Sequence, residues 1–256
     1  MLVTLEYRGA IAIATLNRPE ALNALSLELL SDLRDVLGQI RQSAARGLLI
    51  TGSGGKAFCA GADIKEMMER SASASRKAIA EAQAIISSVG TLPIPSVAMI
   101  NGFAFGGGLE IALACTFRIA MKQARMRLPE IKLGLIPGYG GTQRLPRLVG
   151  ESRALDLILS GRTVDADEAY RMGLVDRLSE SSDPIEAGVE FLAQFTGFSL
   201  AASALAREAV ARGAERGLDD ALKIEGDLLT LALQSSDAKE GMLAFIEKRK
   251  ASFKDE

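Results

Sequence analysis

The segment from Ile94 to Cys115 restricts the possible folds of this chain more than any other part of the sequence. It is apolar enough to be taken for a membrane span, but it contains Pro95, three consecutive glycines and Glu110. A buried strand followed by a buried helix accounts for these features, because the glycines provide the turn between the two elements. We therefore expect a strand over 96–100 and a helix over 106–115 within a large core.

Strands and helices alternate before and after this segment. Residues 2–7 and 10–16 are rich in Val, Ile and Thr and flank Arg8-Gly9, which predicts a hairpin. Ser26 is a suitable N-cap for a helix whose apolar residues recur at three- and four-residue steps from Leu30 to Ile40. The further predicted elements are strands over 47–51, 117–120, 125–128 and 174–178, helices over 63–88 (interrupted by a loop at 71–75), 143–149 and 153–159, and a capped helix between Asp165 and Gly173.

The sequence after residue 183 has a different pattern. Residues 183–250 are helical in pattern almost throughout, with turn signals between the helices. We therefore expect an α/β protein with two parts, a core over 1–195 that contains the functional site and a helical region over 196–256. The alanine and leucine faces of the helical region suit docking on the core or on another subunit.

The residue types present exclude several kinds of chemistry. The chain contains 0 histidines, which rules out Ser-His-Asp and Cys-His nucleophilic sites, His-ligated zinc and histidine proton shuttles. Its 2 cysteines, Cys59 and Cys115, are far apart and form no C-x-x-C motif, so we predict buried thiols and no metal site. If the protein moves protons, carboxylates must carry them.

The charge balance and the first residues bear on partners and location. With 30 basic and 32 acidic residues the formal net charge is −2, which provides no general attraction for nucleic acid or an anionic membrane. Residues 1–9 have no basic region followed by an apolar stretch, so we expect no signal peptide and a cytoplasmic protein. Any anionic ligand must be held by local groups.

The strongest chemical signal is the carboxyl group of Glu110, in the first turn of the apolar helix. Burying an ionised carboxylate is costly unless it is paired, hydrogen-bonded or protonated. Gly106, Gly107 and Gly108 precede it, and residues without side chains at a helix N-terminus leave N–H groups that a ligand oxygen can approach. The glycines either form an oxyanion site or only permit tight packing, with Glu110 capping its own helix.

Two further segments favour an oxyanion site. Residues 56–66 form a second glycine-containing turn that enters a helix and can supply another N–H donor. Glu130 follows a proline and lies too far along the chain from Glu110 to share its helix. Taken singly, residues 56–66 could be a packed corner and Glu130 a surface residue. Together with Glu110, they provide two donors and two carboxylates.

These segments together resemble the crotonase superfamily, and the enoyl-CoA hydratases in particular. The resemblance extends over essentially the whole chain and its motifs are specific. The matching segments are Leu16-Asn17-Arg18-Pro19, Asn23-Ala24-Leu25, 58–66, 106–110, 129–145, Glu247-Lys248-Arg249-Lys250 and Phe253-Lys254. The resemblance implies a crotonase-like spiral of β-β-α turns with a helical C-terminal region, assembled as homo-trimers and commonly as dimers of trimers (hexamers).

The resemblance also implies a mechanism. The backbone N–H groups of Ala62 and Gly107 become the oxyanion hole for a thioester carbonyl, and Glu110 and Glu130 become the catalytic pair. In hydratases of this family the two carboxylates hold one water between them. We assign Glu110 mainly to activation of this water and Glu130 mainly to protonation of C2 of the enoyl group. No separate cofactor is implied, since coenzyme A is part of the substrate, and the expected pathway is fatty-acid or branched amino-acid degradation.

Substrate contacts follow from the same resemblance. The positions implied for coenzyme A are Ala60, Gly61, Asp63, Ile64, Phe253 and Lys254. The last two are often contributed by a neighbouring subunit in the family. Lys56 and Arg18 are candidates for phosphate contacts. Tyr139 stands where many relatives have alanine, so we expect it to affect the preference for the acyl chain.

The chain departs from the family pattern in two other places. Glu20 replaces a lysine that is common among relatives, which puts one phosphate contact in doubt. Met126-Arg127-Leu128 stands where Phe-Gly-Gln is common, which bears on the pocket floor near Glu130. Both catalytic carboxylates are retained.

Other functions stay open at this point. Within the superfamily, a delta3-delta2-enoyl-CoA isomerase or a methylglutaconyl-CoA hydratase is possible, although retention of both glutamates favours hydration. Gly52-x-Gly54-x-x-Ala57 loosely matches a dinucleotide fingerprint, but no convincing second apolar strand follows before Ser96. A non-catalytic RNA-associated protein is disfavoured by the near-neutral charge.

Overall fold

The chain folds into two units, Met1–Ala193 and Gln194–Glu256. The computed structural model describes residues 1–68 and 70–255. Residues 69 and 256 lie outside this description. The first belongs to the predicted helical stretch 63–88 and the second to the predicted C-terminal region. The predicted α/β class with a helical C-terminal region is confirmed.

The strands of the first unit form two sheets. They are β1 (Val3–Arg8), β2 (Ile11–Leu16), β3 (Gly47–Gly52), β4 (Ala57–Cys59), β5 (Ser96–Ile100), β6 (Phe103–Phe105), β7 (Phe117–Met121), β8 (Arg125–Arg127), β9 (Val164–Asp165) and β10 (Arg177–Ser179). The larger sheet has the order β1-β2-β3-β5-β7-β10, and the smaller has the order β4-β6-β8-β9. Apart from the antiparallel pairs β1–β2 and β8–β9, the paired strands are parallel.

Helices follow the strands and then make up the second unit. In the first unit they are α1 (Leu27–Arg41), α2 (Ile64–Met68), α3 (Ala72–Gly90), α4 (Gly107–Ala114), α5 (Gly141–Val149), α6 (Glu151–Ser160), α7 (Ala166–Arg171) and α8 (Pro184–Ala193). The second unit contains α9 (Leu200–Gly213), α10 (Leu218–Leu233) and α11 (Ser236–Glu247). None of the helices within the described ranges combines the length and apolar character needed to cross a bilayer.

The chain passes repeatedly from the large sheet to the small sheet and then into a helix. β3 lies in the large sheet and β4 in the small one before α2 and α3; β5 and β6 repeat this order before α4. This repetition is the β-β-α order that the resemblance to the crotonase superfamily implies. It places successive strand-to-helix turns next to each other, because β4 pairs with β6 and β6 with β8.

Apolar side chains on both sides of the large sheet form the core. On one side, Leu49, Val97 and Met99 pack with Leu192 of α8. The predicted hairpin is confirmed as β1–β2. The predicted cap is also confirmed, since Ser26 Oγ accepts a hydrogen bond from the Leu29 N–H at the start of α1.

Two local predictions are wrong, and three short strands were missed. The strands β4, β6 and β9 have only two or three residues each, which gives no usable alternation in the sequence. The predicted loop at 71–75 is only a cap, since Ser71 Oγ accepts from the Ala74 N–H and the helix begins at residue 72. The strand predicted over 174–178 begins at Arg177, because the N–H groups of Leu174 and Val175 both donate to Ala169 O at the end of α7.

Candidate active site

α4 carries Glu110 into the interior of the first unit. Every residue of this helix is buried, and Glu110 has 1% of its surface exposed. Its Oε1 accepts hydrogen bonds from the N–H groups of Tyr139 and Gly141, each at 2.7 Å. Two donors on one oxygen favour the ionised carboxylate and fix its orientation. They offset part of the cost of burial that the sequence identified.

Glu130 faces the start of the same helix from the 3-10 turn Glu130–Leu133. Its Oε1 approaches Gly106 so closely that a Cβ at this glycine would stand 2.8 Å from it. Its Oε2 is buried and has no hydrogen-bond partner in the part of the chain that the structure describes. A buried carboxylate oxygen without a donor is costly when charged. These surroundings therefore favour the protonated form of Glu130.

Both carboxyl groups have raised pKa values. Burial raises the pKa of Glu110 from 4.5 to about 7, although its two backbone N–H donors oppose the rise. The neighbouring charge of Glu130 raises this pKa further, whereas that of Arg144 lowers it. Burial also raises the pKa of Glu130. Because the two carboxyl groups interact, they titrate as a pair, and a pair that holds one proton near neutral pH is suited to acid–base chemistry.

The N–H groups of Ala62 and Gly107 are available to a ligand. Ala62 forms a parallel bridge with Leu25, in which Leu25 donates to Gly61 O and accepts from the Asp63 N–H. In this pattern the middle residue directs its own N–H away from the neighbouring strand. Gly107 begins α4, where the helix supplies no acceptor for its N–H. No hydrogen bond from either N–H to the described residues is present.

Gly108 brings the two donor segments together. A Cβ at Gly108 would stand 2.1 Å from Cys59 O, so only glycine allows α4 to approach the end of β4 this closely. Gly106 has φ of +48°, in the left-handed region that favours glycine. A Cβ at Gly61 would stand 3.2 Å from Phe105 O. The two glycine-containing turns are therefore neighbours.

A cavity of about 630 Å³ joins the carboxylates and the two N–H donors. Its volume is in the range of small-molecule sites. Among the predicted site residues, those that line it are Ala60, Gly61, Ala62, Ile64, Gly107, Glu110, Glu130 and Tyr139. Its remaining wall is largely apolar and includes Met67, Ile79, Leu133, Leu135, Ile136 and Pro137.

Arg18, Asp63 and Lys56 do not line this cavity. Arg18 Nη1 lies 2.8 Å from Asp63 Oδ2, and this hydrogen-bonded ion pair lowers the pKa of Asp63. Asp63 Oδ1 also accepts from the Lys65 N–H at the start of α2. The Lys56 side chain is exposed. A role for these three side chains in binding coenzyme A stays a prediction.

Phe253 and Lys254 lie in the second unit. The Phe253 ring packs near Gly241 of α11, with its Cε1 3.4 Å from where a Cβ would stand. The Lys254 N–H donates to Asp237 Oδ1 at 2.7 Å, while its side chain is exposed. These contacts attach the end of the chain to α11. The predicted contact with coenzyme A stays a prediction.

The sequence analysis missed the groups that hold the turn around Tyr139. Gln83 Nε2 donates to Gly138 O at 2.8 Å, and Arg144 Nη1 donates to Tyr139 O at 2.9 Å. Polar residues on helices give no signal for such long-range bonds. In the apolar wall of the cavity, Leu133 and Ile136 are 57% and 70% exposed.

The described residues contain no group of three or more His, Cys, Asp or Glu arranged to hold a metal ion. The two thiols have no role in this site. Burial raises the pKa values of Cys59 and Cys115 to about 12, so both are neutral at physiological pH. The chemistry available in the cavity is therefore that of two carboxyl groups and two backbone donors.

Comparisons with known proteins agree with this geometry. The enoyl-CoA hydratase/isomerase family matches residues 6–256. The chain is 41% identical over 249 residues to the short-chain-enoyl-CoA hydratase of Clostridium acetobutylicum, and the aligned region covers 97% of this chain and 95% of that protein. It is 40% identical over 252 residues to the crotonyl-CoA hydratase of Syntrophomonas wolfei, and the aligned region covers 98% of this chain and 97% of that protein.

The fold agrees as well. The crystal structure of enoyl-CoA hydratase from Bacillus anthracis superimposes with a TM-score of 0.95 at 39% identity, covering 100% of both chains. This match confirms the predicted crotonase-like fold. The chain belongs to the enoyl-CoA hydratase/isomerase family.

Proposed function

We propose that this protein is an enoyl-CoA hydratase, which adds water syn across the 2,3 double bond of a 2-trans-enoyl-CoA to give a 3-hydroxyacyl-CoA. The observation that carries this proposal is that Glu110 and Glu130 line one cavity with the available N–H groups of Ala62 and Gly107. The names of the two relatives support a short acyl chain. Fatty-acid or branched amino-acid degradation is the corresponding pathway class.

The thioester carbonyl oxygen accepts hydrogen bonds from Ala62 and Gly107. Addition of water at C3 moves an electron pair onto this oxygen, which becomes an enolate. Donors that meet charge developing along the reaction path lower the barrier rather than only tightening ground-state binding, and each is worth about 2.7–4 kcal/mol. The α4 N-terminus adds a favourable dipole at the same point.

The two carboxyl groups divide the proton transfers. Glu110 removes a proton from the bound water as its oxygen bonds to C3, and Glu130 gives a proton to C2 as the enolate collapses. The fixed donors support this division, because two N–H groups favour charged Glu110 whereas Glu130 Oε2 has no donor. The proton then returns from Glu110 to Glu130 by exchange with water, which completes the cycle.

The pH dependence of kcat/KM should follow the titration of the Glu110–Glu130 pair. Hydration requires the pair to hold one proton, so kcat/KM falls on the acid side as a second proton binds and on the alkaline side as the last one leaves. Because the pKa of Glu110 is about 7, one limb of this bell should lie near neutral pH. Initial rates with crotonyl-CoA between about pH 5 and 9 test this expectation. A flat profile over this interval would contradict it.

Tyr139 limits the length of the acyl chain in this proposal. The residue is 8% exposed and lines the cavity, and its ring packs against Gly107, where a Cβ would stand 3.0 Å from Cδ2. Tyr139→Ala keeps the backbone N–H that binds Glu110 but empties the volume of the ring. We expect kcat/KM for a decenoyl thioester to rise at least roughly tenfold relative to crotonyl-CoA, since each added methylene is worth about 1–3 kcal/mol in a fitting pocket.

Tyr139→Phe is the matched control for this change. It retains the ring, so the ratio of decenoyl to crotonyl rates should stay within about twofold of the wild type. If the alanine and phenylalanine variants show the same ratio, the ring does not limit the chain.

The function itself is tested by the conjugated-thioester absorbance of crotonyl-CoA. Hydration removes this absorbance, and the product is identified as the 3-hydroxyacyl thioester by mass. A 3-enoyl thioester distinguishes an isomerase, because isomerisation creates the conjugated absorbance. A methylglutaconyl thioester tests the branched alternative. No loss of crotonyl-CoA, with turnover of one of the other two, would replace the proposed activity by that one.

Assembly is part of the proposal. Large apolar side chains of the second unit are exposed in the single chain, including Leu218 at 73%, Phe245 at 85% and Ile246 at 75%. Burial of such side chains is a typical use of a subunit interface. We infer a homo-trimer or a dimer of trimers in which Phe253 and Lys254 contact coenzyme A.

A further inference from the structure

The guanidinium group of Arg144 is hydrogen-bonded to the turn around Tyr139, whose N–H groups bind Glu110. Arg144 lies on α5, and its Nη1 donates to Tyr139 O at 2.9 Å. Its Nη2 donates to Ser87 Oγ on α3 at 2.8 Å. The side chain therefore ties the turn to a helix that is distant in sequence.

The absence of a side chain at Gly140 leaves room for this guanidinium group. This glycine has φ of +112°, and a Cβ there would stand 2.0 Å from Arg144 Nη1. The residues on either side, Tyr139 and Gly141, are the two that donate their N–H groups to Glu110 Oε1. The same turn thus contacts Arg144 on one side and Glu110 on the other.

The positive charge of Arg144 is not neutralised by an ion pair in the described part of the chain, and it lowers the pKa of Glu110. No carboxylate of the described residues lies within ion-pair distance of Arg144. The side chain is half-buried, which lowers its pKa but leaves it charged at neutral pH. It does not line the cavity, so it can act on the reaction only through Glu110 and the turn.

We propose that Arg144 is a positioning residue for the hydration reaction, which fixes the two amide donors to Glu110 and favours the charged form of this carboxylate. The inference rests on the proposed function for its kinetic part. Its structural part, the stabilisation of charged Glu110, holds for any reaction that uses this carboxylate as a base.

The other groups around Glu110 do not supply the same charge. The ionisable groups that face Glu110 or Arg144 are Glu130, Tyr139, Cys115 and, beyond Tyr139, Arg70 and Glu66. Glu130 disfavours a second negative charge, and Tyr139 and Cys115 are neutral because burial raises their pKa values. Arg70 is hydrogen-bonded to Glu66 at 3.0 Å, so this pair carries little net charge.

Arg144→Gln and Arg144→Lys test the proposal, with Arg147→Gln as the matched control on the same helix. Loss of the positive charge disfavours ionised Glu110 and raises its pKa, so the acid limb of kcat/KM should move to higher pH in Arg144→Gln. We expect kcat at pH 7 to fall by about tenfold or more while KM changes by less than about twofold. Arg144→Lys should restore the position of the limb but only part of kcat, because lysine keeps the charge and loses the planar fork.

A second measurement does not depend on turnover. Carboxyl ¹³C chemical shifts of Glu110, assigned by comparison with Glu110→Gln, report its titration in the free protein. The proposal requires a higher midpoint in Arg144→Gln than in wild type and Arg147→Gln. An unchanged midpoint would overturn it, as would equal losses of kcat in Arg144→Gln and Arg144→Lys without a shifted limb. If wild type does not hydrate crotonyl-CoA but the midpoint moves, the proposed function fails and the stabilisation of charged Glu110 stands.

Discussion

Replacement of Glu110 or Glu130 by glutamine should lower kcat for crotonyl-CoA hydration by about 10²–10⁴-fold, the usual contribution of a positioned acid or base. Glutamine has nearly the same shape as glutamate, and its Oε1 can still accept from Tyr139 and Gly141. It cannot take a proton from water or give one to C2. Stopped-flow or steady-state loss of the enoyl absorbance measures the change. If both variants keep more than about a tenth of the wild-type kcat, neither carboxylate acts as an acid or base.

The free energy of unfolding of Glu110→Gln shows whether a loss of activity comes from the missing acid–base group or from misfolding. The folded-state pKa of Glu110 is raised from 4.5 to about 7, so protonation of this group stabilises the folded protein. This stabilisation is fully present below pH 4.5 and is lost as the pH rises through 7. At pH 8 and above the wild type therefore bears a cost of about 3 kcal/mol that the neutral glutamine does not. Glu110→Gln should have a higher free energy of unfolding than wild type at pH 8.5 in urea titrations. A lower value would attribute the loss of activity to misfolding instead.

The sequence predicted those parts of the site that depend on local chemistry. Glu110 was identifiable because it is the one acidic residue in a helix that is apolar on every side, and burial of such a group demands partners. The glycines before it were identifiable because only such residues permit close approach to a helix N-terminus. Both features follow from a few adjacent residues. The central strands β2, β3 and β5 of the large sheet were predicted for the same reason, since each is rich in buried apolar residues.

The rest of the site depends on contacts between distant residues. The donors to Glu110 are backbone N–H groups of Tyr139 and Gly141, which every residue except proline possesses, so no side-chain pattern marks them. The pairing of Arg18 with Asp63, 45 residues apart, is equally invisible in the sequence, although both were predicted to contact substrate. Arg144 was passed over because an arginine on a helix is ordinarily a surface residue.

Gly108→Ala should impair both the fold and the oxyanion site. The added methyl group would stand 2.1 Å from Cys59 O, and this is backbone that no rotamer change can move away. α4 must shift away from the end of β4, which separates the N–H of Gly107 from that of Ala62. We expect a loss of about 1–3 kcal/mol in the free energy of unfolding from overpacking. In the folded fraction, kcat should fall about 10²–10³-fold, the effect of losing one oxyanion donor.

Gly38→Ala provides the matched control, because Gly38 lies on α1 with no atom within 4 Å of its added Cβ. Alanine in an exposed helix interior is favoured over glycine by about 1 kcal/mol, so this variant should be slightly more stable than wild type and fully active. Urea titration and crotonyl-CoA turnover are measured on both variants at one pH. If Gly108→Ala matches Gly38→Ala in turnover, the close approach of α4 to β4 is not needed to place the two donors. If Gly108→Ala loses activity while remaining folded, the glycine contributes to catalysis through the position of the Gly107 N–H rather than through stability alone.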